Sequence, residues 1–229
     1  PAPNRYSSHQ EETHTRPRTT LTTNILQCIR LFFCIGRSVG MHSFSPDRLA
    51  LRLTPAALRA VRRGHPWVYA EGISKQNKAG ATGDLAVLFD RNRAFVGLGL
   101  YDPESPIRVR VLHQGEQTTI DTGWLCARFQ QSSDRREELR RDPATNAFRL
   151  VHGENDHLPG MVVDTYDETY VIKLDTAAWL PHLSTVVELL QKVGSPRRIV
   201  LRLSRKTAMS PLARQPLVDG SILLGSTPD

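Results

Sequence analysis

Between residues 84 and 112 three apolar runs follow one another in quick succession: DLAVLFD (Asp84–Asp90), AFVGLGLY (Ala94–Tyr101) and IRVRVL (Ile107–Leu112). Runs this short suit strands, and the sequences between them, Asp90-Arg91-Asn92-Arg93 and Asp102–Pro106, are rich in turn residues. IRVRVL alternates with period two, the pattern of a half-buried strand, and places Arg108 and Arg110 on its wet face. Gly97 and Gly99, inside a strand pattern, point to a bend or a close backbone approach. Upstream, LALRL (Leu49–Leu53) reads as a strand. TPAALRAVRRG then reads as a short basic helix, with Thr54 as N-cap, Pro55 in the first turn and Gly64 at the C-cap. HPWVY (His65–Tyr69) is extended, because Pro66 disfavours helix at the residue before it and Trp67, Val68 and Tyr69 are strand formers. Residues 74–83 read as a polar loop. Several short strands and one small helix predict a small barrel or barrel-like sheet.

The pattern changes after a polar stretch near Gly115–Asp121. Asp121 caps a predicted helix that runs to about Asp142 and ends at Pro143. FRLVH (Phe148–His152) is a strand, and 161–164 with 169–175 form a predicted hairpin around Tyr166-Asp167-Glu168. Pro181 opens a helix in which Leu183, Val186, Val187, Leu190 and Val193 recur at helical spacing. Ile199–Leu203 is a further strand, 204–216 a loop and Leu217–Leu224 a last strand or hairpin.

Charge narrows the partners. The formal net charge is +7 over 229 residues, which favours polyanions. Residues 1–40 hold five arginines against two glutamates, so +3 of that excess lies there. This stretch has no apolar periodicity before Ile25 and reads as a non-native or disordered leader, with Met41 as the start. The run Ile25–Ile35 is interrupted by Arg30 and falls short of the roughly 20 apolar residues of a membrane span. No membrane partner is expected. Cys28, Cys34 and Cys126 form neither a disulfide framework nor a zinc knuckle, which points to a cytoplasmic location.

Two stretches carry candidate chemistry. In RRGHPWVY, Arg62 and Arg63 offer phosphate contacts and Trp67 a stacking surface; alternatively Trp67 plugs the barrel and the arginines are merely solvated. In LVHGENDHLPG, residues His152, Glu154, Asp156 and His157 do not match a metal-ligand spacing. The stretch reads as a tight turn, with Gly153 and Gly160 supplying unusual backbone angles and Asp156 capping it. No glycine-rich phosphate loop, nucleophile elbow or activated cysteine is present, so catalytic residues and a metal site are expected to be absent.

HPWVY, GLGLYDPESPIRVRVL and FRLVHGENDHLPGMVVDTY, in this order, resemble the N-terminal parts of the bacterial SAM-dependent methyltransferases that make 5-methylcytosine in 23S ribosomal RNA. The resemblance implies an α+β chain: a small PUA-like β-barrel over 41–116, then a mixed α/β linking domain over 117–229, with the family's Rossmann methyltransferase domain absent. It implies the RNA-binding N-terminal portion of such an enzyme, inactive alone, with S-adenosyl-L-methionine the cofactor of the full-length family and none in this chain. A standalone PUA-type RNA-binding module is the alternative. Structured RNA, ribosomal RNA in the family, is the expected partner. The candidate contacts are Arg62, Arg63, His65, Trp67, Lys75 and Lys78, with Arg135, Arg136, Arg140 and Arg141 as a second basic face.

Overall fold

The computed structural model describes residues 43–214 and 216–226. The expected leader, Met41 and the cysteines Cys28 and Cys34 lie outside the described residues. Residues 43–214 and 216–226 belong to one compact unit.

The first sheet has six strands in the order β2-β6-β5-β4-β1-β3. They are β1 (Arg48–Leu53), β2 (Trp67–Tyr69), β3 (Ile73–Gln76), β4 (Leu85–Phe89), β5 (Phe95–Tyr101) and β6 (Ile107–Gln114). β1 runs parallel to β4, with Leu51 opposite Leu88, and the remaining pairs are antiparallel. β2 and β3 stand at opposite ends of this order, yet only the 3-10 turn Ala70–Gly72 separates them. Four residues span at most roughly 14 Å. The two edges are therefore close, and the sheet is curled upon itself. Its concave face buries Leu49, Leu51, Val61, Val68, Ala86, Leu88, Val109 and Val111.

The second sheet has the order β11-β10-β9-β8-β7. Its strands are β7 (Ala147–His152), β8 (Met161–Tyr166), β9 (Thr169–Leu174), β10 (Arg198–Leu203) and β11 (Ile222–Leu224). β8 and β9 are the expected hairpin, turning at Asp167 with φ +53°. β9 and β10 are parallel and in register, Ile172 beside Leu201. A parallel pair requires a crossover, and here it contains the helix Leu183–Gly194.

Helix α1 is Pro55–Arg62, capped by Thr54, whose hydroxyl accepts from the Ala57 N–H at 3.4 Å. The single helix expected from Asp121 to about Asp142 is two: α2 (Thr122–Asp134) and α3 (Glu137–Arg141). The break falls at Arg135 and Arg136, whose guanidinium groups both turn to Asp156. Helix α4 (Leu183–Gly194) follows a 3-10 turn, Ala177–His182, that contains Pro181. The loop expected at 204–216 opens with a short helix, α5 (Arg205–Ala208).

The convex face of the curled sheet is not free. Leu85, Leu98, Leu100 and Leu112 belong to one core with Leu150, Met161, Trp179 and Leu190 of the second layer. This corrects the reading of IRVRVL. Val109 and Val111 face the barrel interior, but the opposite face of β6 meets the second layer, and Arg110 is only 7% exposed. Period-two alternation identifies two faces without identifying what covers each. The expected polar loop at 74–83 also contains a strand, β3. Its Lys75 lies on a sheet edge, where pairing to Arg52 of β1 needs no apolar side chain.

Candidate nucleic-acid interface

Helix α1 and the turn after it set the first group of cations. The helix stops because Gly64, at φ +93°, reverses the chain, with its N–H bonded to the Val61 carbonyl at 2.8 Å and that of His65 to the Ala60 carbonyl at 3.0 Å. Glycine takes this backbone conformation without the steric cost borne by other residues. Arg62, Arg63 and His65 are consequently exposed on the outside of the barrel. Arg62 reaches Asp90 at 3.3 Å while its side chain stays 58% exposed. Lys75 and Lys78 are exposed on β3 and the loop after it. These five candidates therefore stand in solvent on the curled sheet.

Trp67 is different. Val68, not Trp67, plugs the barrel. Trp67 is half-buried on the other face, where its indole N–H donates to Glu154 Oε1 at 2.8 Å. Arg110 donates to the same oxygen at 3.1 Å, and its guanidinium lies 5.7 Å from the Trp67 ring centroid. Arg110 also reaches the Asp175 carbonyl at 3.4 Å. Trp67, Arg110 and Glu154 thus form a polar clamp that ties β2 and β6 to the loop after β7. Sequence reasoning missed the clamp because Glu154 lies 87 residues from Trp67.

The loop itself is a 3-10 turn, Gly153–Asp156, followed by His157 at φ +58° and Gly160 at φ +75°. The Asp156 side chain is only 2% exposed. Its carboxylate accepts from the His152 N–H at 2.7 Å, Arg135 at 2.7 Å and Arg136 at 2.7 and 2.9 Å. Burial alone would raise this carboxyl. The hydrogen bonds from Arg136, the His152 N–H and Arg135 outweigh burial and hold it below the ordinary carboxylate value. The residues expected to form a second basic face are thus already engaged. Arg136 is 15% exposed in its pair with Asp156, while Arg140 and Arg141 both pair with Glu137. Arg135 keeps 48% exposure. Glu154 turns to Trp67 and Arg110 while Asp156 turns to two arginines, so the acidic groups of the HGENDH stretch serve separate networks.

Residues 51–114 match the PUA-like domain family. The chain is 43% identical over 185 residues to a ribosomal RNA large subunit methyltransferase of Deinococcus radiodurans, covering 79% of this chain and 45% of that protein. It is 33% identical over 141 residues to ribosomal RNA large subunit methyltransferase I of Alteromonas mediterranea, covering 62% and 36%. It is homologous to these large-subunit enzymes and spans less than half of their length. Two solved structures share the fold. A SAM-dependent methyltransferase from Streptococcus mutans aligns with TM-score 0.64 at 13% identity, over 79% of this chain and 44% of its own. A methyltransferase complexed with SAH aligns with TM-score 0.60 at 14% identity, over 70% and 41%.

These likenesses correct three expectations. The fold was expected to be that of a chain with the methyltransferase domain absent, yet the structures sharing its fold are methyltransferases, aligned over as much as 79% of it. An inactive N-terminal portion lacking its catalytic domain, or a standalone module, does not agree with relatives that are ribosomal RNA methyltransferases matched over most of this chain. A chain without cofactor gives way as well, because an aligned structure carries SAH. The error has a physical root. The expectation of an absent domain came from matching short motifs to one part of a family. Fold likeness rests instead on the course of the backbone: the curled mixed sheet and the parallel β9 and β10 joined across α4. Among the described residues, no helix is long and apolar enough to cross a membrane.

Proposed function

We propose that this chain acts in the methylation of large-subunit ribosomal RNA, with SAM as the methyl donor, and that its barrel grips the RNA. The observation that carries the reading is the 43% identity over 185 residues to the Deinococcus enzyme. Geometry supports the grip: Arg62, Arg63, His65, Lys75 and Lys78 all stand in solvent on the PUA-like barrel. Cations so placed displace condensed counterions from phosphates. Trp67 and Arg136 are assigned to shaping the surface, since their donors are committed to Glu154 and Asp156. Arg135, half exposed, adds a phosphate contact beside the loop. The narrower reading, transfer to C5 of a cytosine in the cytoplasm, rests on the resemblance carried by FRLVHGENDHLPGMVVDTY.

Among the described residues the fit to the donor is poor. No strand-to-helix turn is glycine-rich. One cleft is lined by Arg52, Lys75 and Arg93, which repel a sulfonium cation. A second is lined by Asp102, Glu104 and Asp175, but Asp102 already accepts from the Thr176 hydroxyl at 3.1 Å, Asp175 pairs with Lys173 at 3.3 Å, Glu104 is exposed, and Lys206 lines the same cleft. No described residue is therefore assigned to SAM. The test of the reading is genetic and chemical. Deleting the gene should remove one methylated nucleotide from large-subunit ribosomal RNA, detected by mass spectrometry of nuclease digests, and restoring the gene should return it. An unchanged methylation profile would refute the reading; loss of a methyl group other than 5-methylcytosine would refute only its narrower form.

A further inference from the structure

A cleft of about 310 Å³ opens on the barrel between β1, β3 and the turn joining β4 to β5. That volume lies at the lower end of the range of small-ligand sites, about 300–1,000 Å³. Its charged lining is wholly cationic: Arg52, Lys75 and Arg93, with no carboxylate among the lining residues. Arg52 and Lys75 are cross-strand neighbours in the β1–β3 pair, so two like charges stand side by side on one sheet edge. Such a pair is destabilising unless an anion sits between its members. Neither they nor Arg93 forms an ion pair among the described residues, whereas Arg62 of helix α1 is bonded to Asp90 of the same turn.

The turn adds an independent observation. Asp90 is buried, and its Oδ1 accepts from the N–H groups of Asn92 and Ala94, both at 2.9 Å. This holds Arg93 at φ +67°, a conformation in which glycine is less strained. An arginine kept where glycine is easier points to a use for its guanidinium. Phe89, half-buried, lines the same cleft and belongs to neither apolar core, so its ring is available to a flat partner.

We infer that this cleft holds one nucleotide of single-stranded RNA, with Arg52, Lys75 and Arg93 on a backbone phosphate and Phe89 under the base. The inference rests on the RNA-gripping role proposed above, shares Lys75 with it, and adds Arg52, Arg93 and Phe89. Single-stranded RNA is recognised by such pairing of a cationic groove with an aromatic platform.

The full chain is titrated with a fluorescent hexauridylate, with the same strand made abasic, and with UMP. Arg52→Gln, Lys75→Gln and Arg93→Gln are each expected to weaken hexamer binding several-fold and to reduce the slope of log affinity on log salt by about 1. Phe89→Leu should weaken the hexamer at least five-fold while leaving the abasic strand unchanged. Arg93→Gly should weaken binding while raising the melting temperature, which a purely structural arginine would not do. The inference is overturned if these variants bind the hexamer as the parent does, if the abasic strand binds equally well, or if UMP binds as tightly as the hexamer. A structured fragment of large-subunit ribosomal RNA, titrated in parallel, separates the two claims. If it binds and the hexamer does not, only the cleft assignment falls; if neither binds, the RNA-gripping role falls with it.

Discussion

Glu154 shows how much a single side chain carries when it joins two layers. One of its oxygens accepts from Trp67 and from Arg110, and the Arg110 side chain is 9% exposed. Removing the carboxylate leaves a buried guanidinium without its counter-charge. Glu154→Ala should therefore cost about 2–3 kcal/mol in a urea titration, whereas Glu116→Ala, at an exposed position, should cost almost nothing. Two other residues, Asp156 and His182, contribute to the response to acid, beside His157, which burial and the nearby Arg128 and Arg135 also hold below 6.5. Asp156 is held below its ordinary value of 3.8, so the unfolded chain takes up a proton first as the pH falls. Its stabilisation is complete above pH 3.8 and is lost as the pH drops through the lower folded value. His182 is held below 6.5 by burial, against the opposing pull of the Gly83 carbonyl and Asp84, and its Nε2–H donates to that carbonyl at 2.8 Å. It folds neutral, so its stabilisation is complete above pH 6.5 and declines below it. Melting temperatures between pH 3 and 8 should fall in these two windows, and His182→Gln should reduce the slope in the upper one, leaving the share of His157. A wild-type slope retained between pH 5 and 7 in that variant would show that another group is responsible.

At the scale of elements, Gly97 and Gly99 explain why β5 and β6 pair so closely. A Cβ on Gly99 would stand 2.5 Å from the Arg110 carbonyl oxygen, and one on Gly97 2.5 Å from that of His113. The obstacle is backbone, which cannot rotate away. Gly99→Ala should destabilise by about 1–3 kcal/mol by thermal unfolding; a neutral result would mean the two strands separate without cost. Helix α1 permits a test of the interface. Arg62→Ala with Arg63→Ala should weaken binding of a ribosomal RNA fragment and lower the salt slope by about 2, with little change in melting temperature. Strands β1, β4, β5 and β6 were legible in the sequence because their apolar runs are bounded by turns. Strand β3 was not, because an edge strand bearing Ser74 and Lys75 carries no hydrophobic signal. The break between α2 and α3 was illegible for another reason. It coincides with the bonding of Arg135 and Arg136 to Asp156, some 20 residues downstream, and helical periodicity carries no trace of a distant ion pair.

The described residues form two sheets that share one apolar core, while a second core fills the inside of the curled sheet. The convex face of the barrel sheet gives Leu85, Leu98, Leu100 and Leu112 to the same cluster as Trp179 and Leu190. Deleting the gene is the test that belongs at this scale, since the proposed methylation of ribosomal RNA is a claim about the protein as a whole. Within the candidate interface, the sequence by itself pointed to Arg62, Arg63, His65, Lys75 and Lys78, because cations beside turns and edges are exposed wherever the chain folds. It also determined the positions of β1, β4, β5 and β6 and the capped helix α1, which depend on near neighbours along the chain. Only the tertiary structure decided that Trp67 and Arg110 face a second layer, that Arg136 belongs to Asp156, and that Arg52, Lys75 and Arg93 line one cleft. Each of these depends on contacts between residues far apart in the chain. Alternation and composition register whether a face is apolar, while the identity of what packs against it is settled only when distant segments meet.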